Sequence, residues 1–219
     1  MRSLLCLHGS GGSAAEWARI SAWARASSWE LAAIDAPAGN GKWWTYPPGQ
    51  RSFTASSYTG AEESIQMVEA ELIRGKHSGV IGFSQGAMLA AIVAARCALG
   101  ESATSLRCAV ICAAAMPKPY EPLLHRLRDA PDEAKLNLPT LHTLCATDPM
   151  NPSNLGEEVA NCFAPSAEIL WHGDGHALPP LTLAGVTIEQ EQQAESDGGG
   201  GGAATMDDVA AWLDKVAPL

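Results

Sequence analysis

The chain has 219 residues, of which 47% are hydrophobic and 17% charged. One sizeable core fits that length, and two full domains do not; the apolar content excludes a broadly disordered chain. With 24 acidic residues against 14 basic ones the net charge is −10, and no Lys/Arg cluster offsets it, so nucleic acid and anionic membrane surfaces are excluded as favoured partners.

No stretch reaches the roughly 20 apolar residues that a membrane span needs. The apolar run after Met1-Arg2-Ser3, from Leu4 to Leu7, is too short for the core of a signal peptide. Six cysteines (Cys6, Cys97, Cys108, Cys112, Cys145, Cys162) include no C-x-x-C pair, and four lie in apolar, strand-like runs. That pattern suits buried, reduced thiols in a cytoplasmic protein better than a disulfide framework.

From the N-terminus, Ser3–Leu7 predicts a first strand, Ala14–Ala26 a helix and Glu30–Ile34 a second strand. Ala36–Ser57 breaks the rhythm with Pro37, Gly39, Gly41, Trp43, Trp44, Tyr46, Pro47, Pro48, Gly49 and Phe53. A loop of that length is usually a lid or a binding loop. Alternation then resumes: helix Tyr58–Arg74, strand Gly79–Phe83, helix Gln85–Ala98, strand Cys108–Ala113, helix Leu123–Ala130, strand Thr140–Cys145, helix Leu155–Phe163 and strand Ala167–Trp171. Leu181–Ala204, acidic and then rich in glycine from Gly198 to Gly202, reads as a flexible surface insertion. A last helix, Met206–Val216, has Thr205 as its N-cap and Val209, Leu213 and Val216 on one face.

The strands are apolar nearly throughout, as expected where helices cover both faces. The expected architecture is therefore α/β: a mostly parallel central sheet of about six strands flanked by helices on both faces, in a single domain over 1–219.

Gly82-Phe83-Ser84-Gln85-Gly86 fits G-x-S-x-G in the context its mechanism requires, a strand running directly into an Ala/Leu-rich helix. Small residues two positions either side relieve a crowded turn, and the serine hydroxyl stands at a helix N-terminus that favours a developing anion. Such a serine needs a base, and the base an orienting carboxylate, in the chain order Ser, Asp or Glu, His. Asp148 follows strand Thr140–Cys145, and His176 follows strand Ala167–Trp171, so both fall on the strand edge that carries Ser84. His172 is a rival base that directly follows its strand and suits a packed rim histidine; His176 has Gly173 and Gly175 to give it reach. Asp174 is the rival acid, but it is adjacent to the base on one loop. His8, His77, His125 and His142 read respectively as loop-positioning, surface, helix and strand histidines.

An oxyanion hole needs two backbone N–H donors. Gln85, after the nucleophile, is one; Ser10, in the Gly-rich loop after the first strand, is the other, with Gly11 second. Trp43, Trp44 and Met150, with Tyr46 and Phe53, could line an apolar acyl pocket or pin the long loop to the sheet edge. His172-x-Asp174-x-His176 could suggest a metal cluster, but no further His/Cys ligands complete it, so no metal is expected. The Gly9–Gly12 loop lacks the spacing and the lysine of a phosphate loop.

Taken together, Leu5-Cys6-Leu7-His8-Gly9, Trp43-Trp44, Gly82-Phe83-Ser84-Gln85-Gly86-Ala87, Asp148 and Gly175-His176 resemble the FSH family of serine hydrolases, a small α/β-hydrolase group. The resemblance runs from Leu4 to about Pro180. The elbow also occurs in acyl-protein thioesterase-like enzymes, whereas the double tryptophan and the His-x-x-Gly-His loop from His172 point more narrowly to this family. Two features depart from its pattern, the run Asp148-Pro149-Met150-Asn151-Pro152 and the Leu181–Ala204 insertion. The resemblance implies an α/β-hydrolase fold, Ser84, Asp148 and His176 as the triad, no cofactor, and a small-molecule acyl ester or thioester substrate hydrolysed through a serine acyl-enzyme. The competing expectation is a silent scaffold kept as a binding module, which would have no physical need for all three residues.

Overall fold

The computed structural model describes residues 2–20, 29–37, 39–181 and 203–217. Six strands, β1 (Arg2–Leu7), β2 (Trp29–Ile34), β3 (Gly79–Phe83), β4 (Cys108–Cys112), β5 (Thr140–Leu144) and β6 (Ala167–Trp171), form one sheet in the order β2-β1-β3-β4-β5-β6. Every neighbouring pair is parallel, so all carboxyl ends leave the sheet at the same edge. The order reverses beside β1, and the crevice at such a switch point is where ligands meet an open parallel sheet.

Period-two alternation divides the core between two faces. Leu5 and Leu7 of β1, Val80 of β3 and Ile111 of β4 belong to one buried apolar cluster. Leu4, Cys6, Ile81 and Val110 belong to the other. The first face is covered by helices α1 (Ala61–Gly75), α2 (Gln85–Ala98), α3 (Glu121–Asp129) and α5 (Ser153–Cys162), with the short α4 (Asp132–Leu136) between the last two. The second is covered by a 3-10 helix over Ala14–Ile20, through Trp17 and Ile20, and by α6 (Met206–Val216), through Met206, Val209, Trp212 and Leu213.

Helix α2 is buried at every position from Gln85 to Ala95. Its alanines let the backbone lie close to the sheet, which fixes the helix N-terminus against β3. Helix α6 spans the expected residues, and the Thr205 N–H donates to Asp208 Oδ2 at 2.7 Å. Elsewhere the boundaries shift for local reasons. Helix α1 begins at Ala61, not at Tyr58, because Thr59 bridges Thr45 in antiparallel fashion and Tyr58 stacks on Trp44. Helices α3 and α5 start two residues early, α3 with a proline in its first turn and α5 directly after Pro152, where a fixed φ suits helix entry. The short α4 and a 3-10 turn at Lys118–Tyr120 escape the periodicity altogether. The helix expected over Ala14–Ala26 is a 3-10 helix as far as Ile20; its remainder, and residues 182–202 of the expected insertion, lie outside the described residues.

All six cysteines are free, and five are buried. Burial pushes the Cys108 and Cys112 thiols up to about 12 and that of Cys162 to about 11. His77, expected at the surface, is buried instead: its Nδ1 meets Ser3 Oγ at 3.0 Å and its Nε2 faces Glu71.

Candidate active site

Ser84 is the junction residue between β3 and α2, with φ 54° and ψ −115°. A serine pays strain for that left-handed φ, and the surroundings hold it there. Its N–H donates to the Cys112 carbonyl at 2.9 Å, and its carbonyl accepts from Ala87 and Met88. The two glycines are compelled by close approach: a Cβ on Gly82 would stand 2.2 Å from the Gly86 carbonyl oxygen, and one on Gly86 would stand 2.3 Å from that of Leu7.

His176 Nε2 lies 2.9 Å from Ser84 Oγ, and His176 Nδ1 lies 2.7 Å from Asp148 Oδ2. A carboxylate only accepts, so Nδ1 carries the proton and Nε2 of the neutral ring is left to accept the serine hydroxyl. Phe83 packs obliquely against the imidazole with ring centres 5.1 Å apart. The Asp148 side chain is 3% exposed, and its other oxygen accepts from the N–H groups of Met150 (2.7 Å) and Asn151 (3.0 Å). Asn151 ties this acid loop to the end of β4, donating from Nδ2 to the Ala113 carbonyl at 2.7 Å. Arg51 donates from Nη2 to the Met150 carbonyl at 2.8 Å and so joins the aromatic loop to the same turn.

Among the described residues, the amides of Ser10 and Gln85 have no hydrogen-bond partner, whereas that of Gly11 is committed to the Gly41 carbonyl at 2.6 Å. This distinction separates the first candidate donor from the second. The loop is held from behind by His8. Its Nε2 accepts from the Ala36 N–H at 3.1 Å, which leaves Nδ1 protonated to donate to the Gly9 carbonyl at 2.8 Å.

Trp43 and Trp44 correct an expectation. They are 1% and 2% exposed, belong to the core cluster, and do not line an open acyl pocket. Trp43 stacks on His8 and donates its indole N–H to the His8 carbonyl at 2.8 Å. Trp44 stacks on Tyr58 with ring centres 4.6 Å apart. The aromatic loop is therefore pinned to the sheet edge by its own rings, with Tyr46 and Phe53 partly buried against the same core. Met150 is exposed on the acid turn.

Sequence reasoning missed the side chain that does most of this pinning. Gln85 accepts from the Trp43 N–H at 3.0 Å and donates to the Trp44 carbonyl, also at 3.0 Å. The side chain of the residue after the serine thus grips the tryptophan pair, and Trp43 in turn grips the Ser10 loop through His8. Only the polarity of a glutamine inside an apolar helix start hints at this.

His172 is packed, with a fully buried side chain, and accepts the Asp174 N–H on Nδ1 at 3.3 Å. Burial holds its pKa below the usual histidine value, and nearby Asp174 and Asp148 only partly offset that. It is not in hydrogen-bond contact with Ser84, and Asp174 is half-exposed at 4.0 Å from its ring. His142 is buried in β5 against Thr140, and burial lowers its pKa to about 3. No group of three or more His, Cys, Asp or Glu side chains is arranged to hold a metal among the described residues. Among them, too, no helix is long and apolar enough to cross a membrane. Beside His176 opens a cleft of about 350 Å³, walled mostly by apolar side chains such as Trp17, Ile20, Phe83 and Leu178.

A parallel sheet with helices on both faces, a serine on a strained strand–helix turn, and an acid and a histidine on later strand ends define an α/β-hydrolase. Solved esterases and thioesterases share the fold: esterase PE8 superposes with a TM-score of 0.66 at 18% identity, covering 98% of this chain and 92% of that one. Zea mays acyl-protein thioesterase 2 does so with a TM-score of 0.68 at 18% identity, covering 98% and 93%. Within this class the chain belongs to the family described as serine hydrolase (FSH1), whose model matches residues 14–187. Human esterase OVCA2 is 34% identical over 149 residues, covering 63% of this chain and 60% of the relative. Drosophila melanogaster esterase CG5412 is 31% identical over 199 residues, covering 80% and 68%. The chain thus spans about 60% of the length of human OVCA2.

Proposed function

We propose that this chain hydrolyses a small-molecule carboxylic ester or acyl thioester through a Ser84 acyl-enzyme, without a cofactor. His176 Nε2 takes the Ser84 proton as Oγ attacks the acyl carbon. Asp148 fixes the imidazole tautomer and stabilises the imidazolium. The Ser10 and Gln85 amides receive the oxyanion, without other partners among the described residues. His176 then gives its proton to the leaving oxygen or sulfur, and a water activated by the same ring releases the acid. The single observation that carries this reading is the unbroken relay from Asp148 through His176 to Ser84, at 2.7 and 2.9 Å.

A fluorophosphonate probe tests it: labelling should map to the peptide carrying Ser84, and a p-nitrophenyl ester should give a burst of one equivalent when deacylation is slow. A folded protein that neither labels nor turns over would instead be a silent scaffold, a binding module on the same fold.

A further inference from the structure

We propose that the cleft beside His176 is the leaving-group subsite, and that it takes a compact apolar alcohol or thiol; this rests on the serine hydrolase reading. The tetrahedral carbon on Ser84 Oγ carries three other substituents. The oxyanion turns to the Ser10 and Gln85 amides, and the leaving atom must come within reach of His176 Nε2, the group that returns a proton to it. When the bond from carbon to the leaving atom breaks, the electron pair stays on that oxygen or sulfur and the His176 proton neutralises it. The acyl group stays on Ser84 until water displaces it.

The cleft sits on the histidine side of this arrangement. His176 and the residues just after it, through Pro179, form part of its wall, whereas Ser84, Ser10, Gln85 and the Asp148 turn do not line it. A group that leaves the carbon toward His176 therefore enters this cleft, and the acyl chain points elsewhere.

Its chemistry and size set the class. Trp17, Ile20, Phe83, Leu178 and Leu181 make most of its wall apolar, so a sugar or a nucleotide would lose water there for little compensation. Glu16 and Arg19 also line the cleft, but both are exposed and can stay hydrated. A volume of about 350 Å³, at roughly 30 Å³ per water-sized group, holds about a dozen such groups. A long carrier thiol exceeds that, so simple esters are favoured over carrier-bound thioesters.

The test compares kcat/KM, which reports acylation, along two series of alkyl esters: one acetyl group with lengthening primary alcohols, and one methyl ester with lengthening acyl chains. Alkyl alcohols beyond ethanol differ little in reactivity, so a gain of about four-fold per methylene along the alcohol series, then a plateau, is the expected result. Leu178→Trp should flatten the alcohol series and leave the slope of the acyl series as it was. Leu181, 38% exposed, gives a second variant if the first does not fold: Leu181→Asp should weaken the longer alcohols selectively. A gain along the acyl series that Leu178→Trp or Leu181→Asp abolishes would make this the acyl pocket and overturn the proposal, as would two flat series. Fluorophosphonate labelling of Ser84 in the same preparations separates the two failures: labelled enzyme with the wrong slopes refutes the subsite alone, and unlabelled wild type refutes the hydrolase reading with it.

Discussion

Replacing Gln85 by alanine tests whether one side chain sets the oxyanion geometry. The substitution keeps the Gln85 amide but frees the buried Trp43 N–H and Trp44 carbonyl, each bonded to the side chain at 3.0 Å. An unpaired buried polar group costs about 1–3 kcal/mol, so a loss of about 2–6 kcal/mol in unfolding free energy is expected for the two, large against a typical domain total of about 5–15 kcal/mol. The kinetic effect follows the mechanical chain: a loosened Trp43 loosens its indole bond to the His8 carbonyl, and the Ser10 loop drifts. Removing one oxyanion donor costs about 10²–10³ in kcat, and a misplacement near 1 Å up to about 10²; Gln85→Ala should therefore lower kcat between about ten- and a hundred-fold with KM little changed. Urea unfolding followed by circular dichroism, with p-nitrophenyl acetate kinetics on the same samples, measures both. A destabilisation below about 0.5 kcal/mol, the level of an ordinary surface substitution, together with an unchanged kcat would refute the clamp.

Ser84→Ala and His176→Ala should each abolish burst kinetics, with the double variant no worse than either alone, because the residues act as a unit. Asp148→Asn should fold and lose about 10³–10⁴ in kcat, whereas His172→Ala should lose far less; a dead His172→Ala beside an active His176→Ala would reassign the base. His142 has a folded pKa lowered from 6.5 to about 3, so the native state binds fewer protons than the unfolded chain between those values. Stability should fall as pH drops from about 6.5 toward 3, by about 1.4 kcal/mol per pH unit from this residue, and His142→Leu should remove that component in chemical unfolding measured at pH 4, 5 and 7. Cys108 and Cys112, with thiols near 12, should resist iodoacetamide at pH 8 in the native protein and react in urea, as peptide mass spectrometry would show.

The sheet was legible because strands covered on both faces leave an unmistakable mark: uninterrupted apolar runs such as Val80-Ile81 and Ala109-Val110-Ile111. Chain order on a parallel sheet then places Ser84, Asp148 and His176 at one edge, without any knowledge of side-chain direction. What escaped was of two kinds. Hydrophobicity cannot tell a pocket wall from a core, and so it left open whether Trp43 and Trp44 line an acyl pocket or pin the loop, although both are buried. Side chains that bond distant backbone leave no spacing signal: Gln85 reaches back 42 residues to Trp43, and Asn151 reaches 38 residues to Ala113. His77 was misjudged because its partners, Ser3 and Glu71, come from a neighbouring strand and helix.

The Met206 N–H donates to the Pro180 carbonyl at 2.9 Å, and the Ala204 N–H to that of Trp171 at the same distance. The stretch that runs from the end of β6 past His176 to Pro180 is thereby stitched, before and after the histidine, to the residues that lead into α6. Helix α6 in turn is seated on the sheet by Met206, Val209, Trp212 and Leu213. That helix therefore works as ballast: a change that unseats it slackens the His176 loop from a distance, through its moorings and without touching the loop's own sequence.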